Sequence, residues 1–166
     1  YWKSYTDLLA SDGTDAPALA IAFDHCRVLC SQRAGTAGVE AINRSIEQQL
    51  EAMQLKLPGV AYYSGRPVLI TENDYQLGLF NGDVGICRQS HDGTYQARFP
   101  DGRELLVSRL PAHETCFAMT VHKAQGSEFD HVILLLGEET ATEAENLVTR
   151  ELVYTAVTRE IGRAHV

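Results

Sequence analysis

Apolar positions along this chain recur at helical period near the start, alternate or bunch into short runs in the middle, and form longer runs near the end. Trp2, Tyr5, Leu8 and Leu9 stand at helical spacing and predict an opening helix, broken over Ser11 to Asp15. A second short helix is expected from Ala16 to about His25, with Pro17 in its first turn. Arg27-Val28-Leu29-Cys30 reads as a buried strand, and Ser31 to Gly38 as a turn holding Arg33, Gly35, Thr36 and Gly38. Val39, Ile42, Ile46, Leu50 and Met53 then follow at spacings of three and four, which predicts an amphipathic helix. Strand, glycine-bearing turn and helix together make half of a βαβ unit.

The character changes near Pro58. Pro67 to Thr71, Val84 to Arg88, Tyr95 to Phe99 and Glu104 to Val107 are short β-type runs. Turn signals at Asn81-Gly82-Asp83, His91-Asp92-Gly93 and Asp101-Gly102 separate them. Such a series predicts a small antiparallel barrel of SH3-like or similar type. After Pro111 the α/β character returns. Cys116 to Val121 and Val132 to Leu136 are continuous apolar runs, as expected of parallel strands covered on both faces. Glu138 to Asn146 reads as an acidic connection. A last helix is expected from about Thr149, a plausible cap, to Glu160, with Leu152, Val153, Ala156 and Val157 on one side.

Composition narrows the possibilities. With 45% hydrophobic and 22% charged residues in 166, the chain can bury a real core. No apolar run approaches the roughly 18 to 20 residues of a membrane helix, so a cytoplasmic protein is the expectation. A formal net charge of −8 argues against a broadly basic nucleic-acid wrapper, though not against a local phosphate-binding groove. Cys26, Cys30, Cys87 and Cys116 contain no CxxC pair, so buried free thiols are expected and no metal site. The chain begins at Tyr1 without a methionine and reads as a piece of a longer protein.

Chemistry concentrates in Thr120-Val121-His122-Lys123-Ala124-Gln125-Gly126-Ser127-Glu128-Phe129-Asp130, between two expected core strands. Thr120 and His122, two apart on a strand end, would project to one side and meet a backbone phosphate. Gly126 lets the main chain approach a ligand, and Glu128 can accept a hydrogen bond from a ribose hydroxyl. The same residues also fit a solvated polar loop. Farther on, Arg159 follows the apolar face of Leu152-Val153-Tyr154-Thr155-Ala156-Val157. Such an arginine can reach a phosphate across a cleft, or can simply sit at a helix C-terminus favoured by the dipole.

Taken in order, TVHKAQGSEF at 120–129 matches helicase motif V, and RELVYTAVTR at 150–159 matches motif VI. LCSQRAGTAGVEAINRSI resembles the motif IV region, and GRPVLITENDYQLGLFNGDVG resembles the lead into an inserted SH3-like domain. The chain thus resembles the C-terminal motor lobe of superfamily-1 helicases, and within them the RecD-like family (the exodeoxyribonuclease V alpha subunits). The resemblance implies an α/β, RecA-like second lobe at 1–60 and 112–160, carrying an SH3-like barrel at 61–111. It implies an ATP-dependent, 5′-to-3′ DNA translocase acting in double-strand-break repair, with RecB-like and RecC-like partner subunits. By position Arg159 would be the arginine finger, Gly126 and Glu128 would belong to the ATP site, and Thr120 and His122 would meet single-stranded DNA. Arg33 is a weaker DNA contact, equally readable as a turn-stabilising surface arginine.

No GxxxxGK[ST] loop and no acidic strand end for magnesium occur in the sequence. ATP and its Mg2+ ligands are therefore expected mainly in a preceding lobe, and these residues alone should be inactive. After Thr158-Arg159 the family pattern breaks. Residues 161–166 match one reading frame of a common sequencing adapter and are expected to be non-native. The alternative from another class is a stand-alone binding module, using the barrel from about Pro67 to Ser108 to hold a protein or single-stranded DNA.

Overall fold

The structure, a computed structural model, describes residues 2–11, 16–137 and 150–159. The expected acidic connection, the Thr149 cap, the break at 12–15, Glu160 and the 161–166 tail lie outside them. The chain falls into two compact units. One comprises the described residues up to Phe23 with Glu47–Cys116, and the other Asp24–Ile46 with the described residues from Phe117 onward.

In the first unit, α1 (Lys3–Ala10) and α2 (Ala16–Asp24) form where helical spacing predicts them. Tyr5 is buried from α1, packs against Phe23 at 5.9 Å between ring centroids, and donates its hydroxyl hydrogen bond to the Gly65 carbonyl. The β-rich segment builds an antiparallel sheet from β2 (Pro67–Ile70), β3 (Val84–Gln89), β4 (Tyr95–Arg98), β5 (Glu104–Leu106) and β6 (His113–Thr115). Its order is β5-β4-β3-β2-β6. The expected closed barrel is not seen. Among the described residues β5 pairs only with β4 and β6 only with β2, so the two remain opposite edges. A 3-10 turn at Val107–Arg109, followed by Pro111, carries the chain from one edge to the other. The interior of this sheet is Val68, Ile70, Leu79, Cys87, Ala97 and Phe99.

The second unit is built on a parallel sheet of β1 (Cys26–Cys30), β7 (Ala118–Thr120) and β8 (His131–Leu135), in the order β7-β1-β8. All five residues of central β1 are buried, as its unbroken apolar pattern predicts. β8 departs from the expectation of full burial: Ile133 is 37% exposed, at one edge of the described sheet. The amphipathic helix α3 (Val39–Ala52), of which Val39–Ile46 belong to this unit, follows β1 through the predicted turn. Gly38 is needed there because a Cβ would meet the Ala34 carbonyl oxygen at 2.2 Å. The final helix is shorter than predicted, α4 (Arg150–Val157), and its buried side is Leu152 and Ala156. Val153 is only half-buried and Val157 is exposed, so the expected four-residue face narrows to two.

All four cysteines are buried free thiols. Burial pushes the Cys30 thiol up to about 11 and the Cys87 thiol up to about 12, because a desolvated thiolate is disfavoured. Folding therefore withholds the reactive thiolate at neutral and mildly alkaline pH. At pH 8 an aromatic disulfide reagent is expected to label essentially no thiol of the native chain within minutes, and all four once urea is added. Fast labelling of Cys30 or Cys87 in the native state would contradict the packing of β1 and β3.

Candidate functional site

Strand register decides where the candidate residues sit. Thr120, the last residue of β7, lies beside Cys30, the last of β1, so it marks the carboxyl end of the parallel sheet. The chain does not continue as a strand beyond it. The Ala124 N–H turns back to the Thr120 and Val121 carbonyls at 3.2 Å each, and the Gln125 N–H donates to the His122 carbonyl at 3.2 Å. Buried Val121 and Ala124, three apart, hold this turn down. The expectation that Thr120 and His122 share a strand face is thereby corrected: His122 belongs to the turn. His122 is exposed, and Thr120 Oγ1 accepts the Lys123 N–H at 3.3 Å. Arg33, in the loop after β1, is also exposed at this carboxyl end, and its carbonyl accepts the Glu40 N–H at 3.1 Å.

The loop then crosses to the other end. Gly126 adopts φ +87°, a left-handed conformation that side chains rarely take. A Cβ there would meet nothing within 4 Å, so backbone conformation rather than space favours glycine. Glu128 is exposed, whereas Phe129 is buried. The Phe129 N–H donates to the Arg159 carbonyl at 2.7 Å. Two residues later His131 begins β8 beside Cys26, the first residue of β1. Glu128 and Arg159 are therefore at the amino end of the sheet. From Cys26 to Cys30 the strand rises about 13 Å, at roughly 3.3 Å per residue. One loop thus joins two ends, with Thr120, His122 and Arg33 at the first and Glu128 and Arg159 at the second.

Arg159 closes the turn after α4, its N–H donating to the Ala156 carbonyl at 3.1 Å and its Nε to the Thr155 carbonyl at 3.3 Å. The side chain is half-buried. A guanidinium held by one long carbonyl contact can swing towards an anion without breaking any ion pair among the described residues.

Two further residues organise the site and were not singled out from the sequence. Asn43, buried on α3, reads the free edge of β7: its Nδ2 donates to the Ala118 carbonyl at 3.0 Å and its Oδ1 accepts the Ala118 N–H at 2.9 Å. Arg27 is buried in β1, pairs with Asp24 at 2.8 Å and lies over the Phe129 ring at 4.8 Å. The available signals were a lone amide between Ile42 and Ile46 and an acid three residues before an arginine in an apolar run.

Comparison with known proteins matches the same stretch. Residues 115–160 fit the UvrD-like helicase C-terminal domain. The chain is 39% identical over 146 residues to the RecBCD enzyme subunit RecD of Haemophilus influenzae, covering 87% of this chain and 21% of that protein. It is 42% identical over 154 residues to RecBCD enzyme subunit RecD of Mycolicibacterium smegmatis, covering 93% of this chain and 27% of that protein. The chain belongs to the RecD-like family of superfamily-1 helicases. It also matches the ATP-dependent RecD2 DNA helicase of Deinococcus radiodurans, 31% identical over 82% of this chain and 19% of that protein. The chain thus spans well under a third of the RecD-like relatives it matches. Among solved structures, Bacteroides Pif1 bound to single-stranded DNA aligns with 95% of this chain and 46% of its own, at 18% identity and TM-score 0.48. No helix among the described residues is long and apolar enough to cross a membrane.

Proposed function

We propose that this chain is part of the second motor lobe of an ATP-dependent, 5′-to-3′ DNA helicase of the RecD type. The observation that carries the reading is the placement of its two residue sets at opposite ends of one parallel sheet, joined by the single loop 121–128. Arg159 would serve as the arginine finger on the γ-phosphate, and Glu128, beside the Phe129–Arg159 link, as the contact to the ATP ribose. Thr120 and His122, with a lesser part for Arg33, would meet the phosphates of single-stranded DNA. A shift of loop 121–128 at either end is then felt at the other, which is a physical route for coupling.

The residues fit a nucleotide at the amino end: an exposed carboxylate, a half-buried arginine and, between the ends, a left-handed glycine. Bound there, ATP would supply the phosphoryl group whose transfer drives movement. The Mg2+ ligands and the Walker A loop would come from a preceding lobe, the other wall of the site, as the resemblance implies. One wall alone would not turn over ATP.

The antiparallel unit is read as an SH3-like insertion at 61–111, between lobe segments at 1–60 and 112–160. Its support is the order β5-β4-β3-β2-β6 with a 3-10 turn before the last strand. By analogy with the RecBCD subunits that it resembles, the complete protein would act in break repair and recombination with RecB-like and RecC-like partners, exonuclease activity residing in the assembly.

In a full-length protein carrying this segment, His122→Ala is expected to weaken single-stranded DNA binding about three- to tenfold and to lower DNA stimulation of the ATPase, with little change in the DNA-independent rate. One phosphate contact is worth roughly 1 kcal/mol, hence that range. Anisotropy titration and ATPase assays with and without DNA read both. Unchanged affinity and stimulation would remove His122 from the coupling path.

A further inference from the structure

Around the amino end of β1 the residues 24–27 and 129–131 are laced together side chain by side chain. Arg27 is 1% exposed, an unusual place for a guanidinium, and it is held there from two directions. Asp24 pairs with it at 2.8 Å, and the face of the buried Phe129 ring lies 4.8 Å from its Cζ. Beside it, His25 Nδ1 meets the Asp130 carboxylate at 2.5 Å, and the His131 N–H donates to the His25 carbonyl at 3.0 Å. Phe129 is the hub of this bracket, because its own N–H donates to the Arg159 carbonyl at 2.7 Å. Partial desolvation moves the Asp24 carboxyl up from its ordinary value, with Arg27 opposing the rise and Asp130 adding to it.

We propose that Arg27 is a positioning residue of the nucleotide site: stacked on Phe129, it fixes the Phe129–Arg159 backbone link and so sets where the Arg159 guanidinium stands relative to Glu128. The inference rests on Arg159 being the finger. The stacking matters as well as the charge. A planar guanidinium covers the ring and keeps Phe129 from rotating, whereas an ammonium is a compact point charge that cannot cover it. Loss of the stack frees the Phe129 peptide, and the Arg159 carbonyl loses its partner. Ground-state nucleotide binding, which does not need the finger in register, is left in place. The effect falls on turnover.

The test compares Arg27→Met, Arg27→Lys and Arg159→Ala in a full-length protein carrying this segment. It measures kcat and KM for ATP, Kd for single-stranded DNA, and amide exchange of the peptide that contains Phe129. Arg27→Met is expected to lower kcat at least tenfold, with KM and DNA Kd within about twofold of wild type, and to speed exchange at Phe129. Arg27→Lys should fall in the same direction, about three- to tenfold in kcat. A merely structural arginine would shift KM and DNA affinity together with kcat, and that result overturns the positioning role. Wild-type kcat in Arg27→Met alongside a dead Arg159→Ala overturns the positioning role and leaves the finger standing. Wild-type turnover in Arg159→Ala overturns both. If Arg27→Met does not fold, Arg27→Lys decides alone: an unchanged kcat and unchanged Phe129 exchange overturn the proposal.

Discussion

Arg159→Ala, made in a full-length protein that carries this segment, is expected to lower ATP turnover by about a thousandfold or more while leaving single-stranded DNA affinity within about twofold, the range seen when a finger is removed from a phosphoryl-transfer site. Steady-state ATPase and anisotropy titration measure the two. The size follows from what an arginine finger does: its charge meets the charge that develops on the transferred phosphoryl group, and the neighbouring guanidinium at the amino end, Arg27, is buried and paired with Asp24. Sparing of DNA binding follows from the register. Thr120 and His122 are at the carboxyl ends of β7 and β1, the length of a strand from Arg159. Fold damage is also expected to be small. The residue that anchors the helix is not Arg159 but the buried pair Leu152 and Ala156, and the link to Phe129 uses the Arg159 backbone carbonyl, which alanine retains. Arg159→Lys should also lose most of the rate, since an ammonium lacks the forked geometry that suits phosphate oxygens.

The second large effect is on stability. Asn43→Ala is expected to destabilise the chain by about 2–4 kcal/mol, because it leaves both the N–H and the C=O of Ala118 buried without a partner. The urea midpoint of unfolding should fall accordingly, with the slope unchanged. Among the described residues β7 is an edge strand with β1 on one side, and the Asn43 amide takes the place of a neighbouring strand at Ala118 on the other. Asn43→Asp keeps the acceptor for the Ala118 N–H but sets a carboxylate against the carbonyl, so its loss should be at least as large at neutral pH and should shrink as the carboxyl is protonated. A midpoint unchanged in Asn43→Ala would mean that the edge of β7 is satisfied in some other way.

How far the sequence could be read depends on which physical signal each element carries. α3 and β1 were legible because a helix with one buried face and a strand buried on both faces leave unmistakable periods. β6 was not, because His113-Glu114-Thr115 is polar and half-buried and owes its form to the backbone of β2. By its pattern the apolar run Cys116 to Val121 reads as one strand. Its burial is continuous but its backbone is not: Cys116 still donates to Pro67 in the antiparallel unit, Ala118–Thr120 pairs with β1, and Val121 already enters the turn. Burial alone does not tell a strand from a packed turn. Closure of the barrel was likewise beyond the pattern, since alternation fixes which strands have two faces but not whether the edges meet.

The site shows the same division. Thr120, His122, Gly126, Glu128 and Arg159 stood out by residue type and by resemblance, and the strand register sorts them into two ends. Arg27 and Asn43 did not stand out, because their importance lies in what they touch. A buried arginine and a buried amide look unremarkable until Phe129 and Ala118 are seen beside them. The proposed chemistry rests on the resemblance, and the sheet supplies the separation between the two ends.

The most direct test of that separation is a single-stranded DNA titration of ATPase rate, run side by side on Arg159→Ala and His122→Ala. Opposite signatures are expected. Arg159→Ala should bind DNA with wild-type affinity at almost no turnover, and His122→Ala should keep its basal rate while needing more DNA and gaining less from it. If both variants lose the same parameter, the two ends of the sheet are not separate sites, and the division of labour across loop 121–128 is wrong.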